Sequence, residues 1–171
     1  IKGDITNAVN NFQKSLGQFN YYKMDYFVCR ILILLSQAKM DIGDFSVAKR
    51  YLKQARPICI DLNESLMMGK LFVYEAKYFE NTENTDAAMQ SYNDSIEYFQ
   101  KGELYRPLIY AIISLAMLQI KKGLLSDAGK LYSKAESIIK RISDPSVSLS
   151  ININKLYLNS ILNKCTLENC K

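Results

Sequence analysis

A chain of 171 residues can bury one domain's core without disulfides or metals, and 49% hydrophobic residues with only seven Gly and three Pro exclude a disordered chain. The net charge of +5 comes from 22 Lys and Arg against 17 Asp and Glu, scattered along the chain rather than gathered in one run. That scatter describes solvated helix faces and argues against nucleic acid as a partner of this segment.

The first element, "GDITNAVNNFQKSL" from residue 3, predicts an amphipathic helix, and the same pattern returns three times along the chain. The copies are "GDFSVAKRYLKQA" from 43, "ENTDAAMQSYNDSI" from 83 and "GLLSDAGKLYSKAESI" from 123. Ala8, Ala48, Ala88 and Ala128 recur every 40 residues. Four positions on come Phe12, Leu52, Tyr92 and Tyr132, and seven positions on Ser15, Ala55, Ser95 and Ala135. Small, large, small at i, i+4 and i+7 is one helical stripe, which lets a neighbouring helix approach closely.

A second helix precedes each of the later copies. Leu32 with Ser36, Phe72 with Ala76 and Ile112 with Ala116 lie 16 and 12 positions before the alanines. Gly43-Asp44, Glu83 to Asp86 and Gly123 supply helix stops followed by capping residues. Each pair therefore reads as an antiparallel hairpin of a helix A and a helix B. Residues 146 to 163 read as one more helix A, with Asp144-Pro145 as its cap and first turn. Pro57, inside the second helix B, is expected to end or kink it. The organisation expected is a single solenoid domain over 1–171, with partial repeats at 1–18 and 144–171 and full repeats near 19–62, 63–102 and 103–143. An initial Ile rather than Met suggests a piece of a larger protein.

The longest apolar run, "LIYAIISLAMLQI" at 108–120, is short of the roughly 20 residues a membrane span needs, and the start lacks a signal peptide's basic and small-residue regions. A cytoplasmic protein with no membrane partner is expected. Cys29 and Cys59 read as small buried thiols, and free cysteines in a reducing compartment are the expectation for all four. Cys165 and Cys170 stand close enough to pair, but with no His in the chain and no CxxC spacing no metal is expected. The absence of His also removes Ser-His-Asp, Cys-His and HExxH chemistry, and no glycine-rich phosphate loop is present. No catalytic residue and no cofactor is assigned, so the chain is expected not to be an enzyme.

The small–aromatic–small stripe after a Gly/Asp turn resembles the tetratricopeptide repeat family, over nearly the whole chain. It departs from that family in a period of 40 rather than about 34, and in lacking the Pro that follows helix B. In its long repeats it is similar to bacterial peptide-pheromone receptors and to the solenoid arms of transcription activators. The resemblance implies an all-α, right-handed superhelical solenoid whose concave face, lined by helix A, binds proteins or peptides. Transferred position by position, that face holds Arg30, Ile33, Gln37, Met40 and Asp41, then Lys70, Val73, Lys77, Glu80 and Asn81, then Tyr110, Ile113, Met117, Ile120 and Lys121. The final helix A adds Ser150, Ile153, Tyr157, Ser160 and Ile161.

The residues chosen as partner-binding are Arg30, Gln37, Lys70 and Lys77 for a polar, basic end, and Tyr110, Ile113, Met117 and Lys121 for a largely apolar end. Tyr110, Ile113, Met117 and Ile120 read equally well as core, because their helix is apolar almost all round. Ile33 and Val73 stand where the family's carboxylate clamp needs Lys, so that clamp is not expected. The function expected is a non-catalytic scaffold for a protein or peptide segment. The alternative is the peptide-sensing arm of a bacterial transcriptional or signalling regulator whose effector domain lies outside this chain. A homodimer through the terminal repeats is a third arrangement that the exposed ends leave open.

Overall fold

The computed structural model describes the backbone of residues 2–142 and 144–168 and the side chains of 4–142 and 144–163. Among them are eight helices and no strand: α1 Lys2–Tyr21, α2 Asp25–Asp41, α3 Phe45–Leu62, α4 Ser65–Asn81, α5 Thr85–Lys101, α6 Tyr105–Lys121, α7 Leu125–Ile139 and α8 Pro145–Glu168. Helices α2 to α6 are 17 or 18 residues long, so two helices and two short turns fill the 40-residue period. No helix is long and apolar enough to cross a membrane among the described residues.

The turns are more regular than the sequence suggests. Lys23, Gly43, Asn63, Glu83, Glu103 and Gly123 all have positive φ, between 50° and 79°, and they fall 20 residues apart. The six junctions from α1–α2 to α6–α7, A to B and B to A alike, thus each reverse through one left-handed residue. Asp44 and Asn84 then cap the helices that follow, accepting hydrogen bonds from the amides of Val47 and Ala87, each at 3.3 Å. Pro57 neither removes nor ends α3, which runs on to Leu62, correcting that part of the expectation. The residue lies on the exposed side of the helix.

The helices group into two compact units, Ile1–Gly102 with α1 to α5 and Glu103–Lys171 with α6 to α8. In the first unit, Val28, Leu32 and Ile33 from α2 pack with Leu52, Ala55 and Cys59 from α3 and with Met67, Met68 and Leu71 from α4. Ala48, Ala55 and Ala88 are fully buried, as helices that pack on alanine require. Helices α4 and α5 approach so closely at Gly69 that a Cβ there would collide with the Phe99 ring. In the second unit Ala128, Tyr132 and Ala135 of α7 are fully buried, with Ile109 and Ile112 of α6 and Val147 and Ile151 of α8 also in the core.

One repeat position shows how each hairpin fills the same space differently. Residues 19 before and 11 after the stripe's first alanine are Gly69 with Phe99 in the second hairpin and Ile109 with Ile139 in the third. In the first hairpin they are Cys29 and Cys59, which the structure joins as a disulfide with Cα atoms 6.3 Å apart. The expectation of free thiols is therefore corrected for these two: facing helices bring a residue pair 30 apart in sequence into bonding distance. Cys165 and Cys170 lie outside the residues whose side chains are described.

Candidate functional site

Helices α2 and α4 are the two A helices of the first unit and pack against each other. Arg30 and Lys70 occupy the same repeat position on them, and neither makes an ion pair among the described residues. Arg30 is exposed and Lys70 half-buried. Burial, reinforced by the charge of Arg30, holds the Lys70 ammonium below its ordinary pKa. The two cations are thus near neighbours that raise each other's electrostatic energy.

Two turns along α4, the Lys77 ammonium lies 4.8 Å from the centroid of the Tyr74 ring. Burial, with the charge of Asp41 adding to it, raises the Tyr74 hydroxyl pKa. Gln37 donates to Asp41 Oδ1 at 2.5 Å, while its own Oε1 is buried with no partner among the described residues. The face therefore runs from a doubly basic patch to an aromatic ring with an amide and a carboxylate behind it. Ile33 and Met40, which the transferred positions also put on this face, are 3% and 5% exposed and belong to the core.

In the second unit, Tyr110 is exposed and Met117 half-buried, while Lys121 is exposed and already engaged with a neighbour. Ile113, expected as a binding residue, is 7% exposed and is packed inside, as is Ile120. The correction has a simple cause: α6 is covered on several sides, so an apolar residue on it is claimed by the core. On α8, Ile153 and Tyr157 are exposed along with Leu149 and Leu156.

The transferred positions missed a set of residues on the other side of α4. Glu75 is buried, and Arg56 of α3 reaches it with both Nε, at 3.2 Å, and Nη2, at 2.5 Å. Burial pushes the Glu75 carboxyl above the usual range despite Arg56, and the charge of Asp94 adds to the rise. The signal was in the sequence: Glu75 stands where α2 has Leu35 and α6 has Leu115.

No family model matches the sequence, and no curated protein matches it either. Three solved structures resemble the fold. BtubC (BKLC) from P. vanneervenii matches at a TM-score of 0.79 and 14% identity over 90% of this chain. The apo form of RapI matches at 0.79 and 15% over 97%, and aspartyl phosphate phosphatase F from Bacillus subtilis at 0.67 and 15% over 95%. The likeness is one of fold. It makes the chain a helical-repeat protein of the solenoid class. The chain spans 65% of the length of BtubC and about half that of the other two, at 46% and 48%.

Proposed function

We propose that this chain is a non-catalytic scaffold that binds an acidic protein or peptide segment on its helix-A faces. The observation that carries the reading is the Arg30 and Lys70 pair: two like charges close enough to act on each other, one of them half-buried, and neither in an ion pair among the described residues. Such a pair costs energy in the free protein and is relieved by a carboxylate or a chain terminus. Lys77 over Tyr74 extends the same face, where the flat ring gives an apolar side chain a place beside the cation. Tyr110 and Met117 offer a separate apolar contact on α6.

An acidic, fluorescently labelled model peptide titrated into the protein tests this. Lys70→Ala with Lys77→Ala should weaken its binding about tenfold while leaving the unfolding midpoint nearly unchanged. Equal binding by the variant, or its unfolding, sinks the assignment of the face.

The fold likeness to RapI and to phosphatase F, of which this chain spans about half, supports a second reading as the peptide-sensing arm of a bacterial regulator. A sensor must favour one conformation when liganded, so small-angle scattering should show compaction with peptide. A scaffold should keep its radius.

A further inference from the structure

The first unit carries a second surface, distinct from the helix-A face. Phe72, Glu75 and Phe79 follow at i, i+3 and i+7 along α4. At about 100° per residue they lie on the opposite side of that helix from Lys70, Val73 and Lys77. They floor a furrow walled by α3 and α5, which holds two clefts of about 260 and 350 Å3 that share Phe72 and Asp94.

The walls differ in sign. On α3, Lys49, Lys53 and Arg56 stand at i, i+4 and i+7, and on α5, Asp94 and Glu97 stand at i and i+3. Two of the three cations are held over rings of α4. The Lys49 ammonium is 5.8 Å from the Tyr78 ring centroid, and the Arg56 guanidinium lies 5.3 Å from that of Phe72 while it pairs with Glu75. Phe72 is further fixed by stacking on Tyr98, with centroids 5.6 Å apart. Asp94 accepts a hydrogen bond from Gln90 at 2.8 Å, and Lys101 closes the acidic wall at its end.

We propose that this furrow is a docking site for an amphipathic helix of mixed charge from a partner protein. The helix presents carboxylates to α3, basic side chains to Asp94 and Glu97, and an apolar row to Phe72 between them. Charge complementarity selects the two edges of the partner. The helical form follows from the walls. Their backbone groups are already bonded within α3, α4 and α5, so they offer an extended chain nothing to pair with, whereas a helix satisfies its own backbone.

The probe is a labelled peptide of three Glu-x-x-Leu-x-x-Lys heptads, x being Ala or Gln, in which Glu and Lys rows flank a Leu row. Its controls carry Glu at both flanking positions or Lys at both. Fluorescence anisotropy should show the mixed peptide binding about tenfold more tightly than either control. Lys49→Glu with Lys53→Glu should remove that advantage and favour the all-Lys control. Should that variant lose its cooperative melt, Lys53→Gln is read instead, with a loss of about threefold expected. Equal binding of the three peptides, or no change on either substitution, overturns the proposal. So does a larger loss on Lys70→Ala than on Lys53→Glu, which places the peptide on the helix-A face.

Discussion

The hairpins α4–α5 and α6–α7 bury a tyrosine at the same place in the repeat, yet they complete it differently. Tyr92 and Tyr132 are 2% and 0% exposed. The Tyr92 hydroxyl donates to Glu80 Oε1 at 2.6 Å, 12 residues earlier on α4. The residue 12 before Tyr132 is Ile120, and the Tyr132 hydroxyl is buried with no partner among the described residues. Burial, with Tyr157 nearby, pushes its pKa up to about 12. The repeat thus preserves the volume of the stripe and leaves its polar bookkeeping to each hairpin. A second comparison sharpens the point. Arg56 with Glu75 and Glu136 with Lys155 are ion pairs at the same repeat positions, each 19 residues apart, with the signs exchanged.

The largest effect is expected where a charge is buried. Arg56→Leu strands Glu75, whose side chain is 11% exposed, and should cost about 2 kcal/mol in urea unfolding; the 44% exposure of Arg56 keeps this below the cost of a fully buried pair. Adding Glu75→Leu should restore stability to within about 1 kcal/mol, because apolar replacement of such a pair is often neutral. The joint between α1 and α2 already holds Leu16 and Leu35 at these positions. Lys155→Leu should cost less than about 1 kcal/mol, since Lys155 and Glu136 are 37% and 36% exposed. Equal costs for Arg56→Leu and Lys155→Leu break the comparison.

Next come the tyrosines. Tyr92→Phe should lose about 1.5 kcal/mol with its bond to a carboxylate, whereas Tyr132→Phe should be neutral or stabilising, because it deletes a hydroxyl that nothing satisfies. A smaller effect is set by pH, and here the two units should move in opposite directions. The Glu75 pKa is raised, so its contribution is complete below the usual carboxylate range and is lost as pH rises through the raised value. Glu75→Gln should flatten that decline. The Asp144 pKa is lowered to about 2, by the Ser146 hydroxyl and then by Arg106, so its contribution is present above the usual range and lost as pH falls through about 2. Thermal melts of Glu75→Gln and Asp144→Asn across acid pH separate the two. The smallest effect belongs to Glu83→Gly, which should gain about 0.5 kcal/mol, because Glu83 has φ 58° where Gly43 and Gly123 stand in the other repeats.

The stripe was legible because it is local: Ala48, Leu52 and Ala55 lie within two helical turns, and their burial follows from spacing alone. The turns at Gly43, Glu83 to Asp86 and Gly123 were legible for the same reason, while those at Lys23 and Glu103 were not, since these side chains give no sign of a left-handed backbone. At the candidate site, Arg30, Lys70 and Lys77 could be placed on one face by counting. Ile113 could not be sorted from the core, because an apolar residue on an apolar helix carries no sign of which side is covered. The furrow escaped notice because its parts come from three helices and Arg56 meets Glu75 across 19 residues. Its cue, Lys49, Lys53 and Arg56 on one side of α3, acquires meaning only once α5 stands opposite.

The exchanged ion pairs also bear on how such a chain avoids misassembly. Repeats 40 residues apart have nearly the same shape, so a helix A could in principle settle against the wrong helix B, in one molecule or between two. A helix B bearing Arg56 would meet Lys155 in α8 as a like charge, and one bearing Glu136 would meet Glu75 in the same way. The apolar positions accept any neighbour, whereas exchanging partners between these two pairs sets like charges together and disfavours the wrong match.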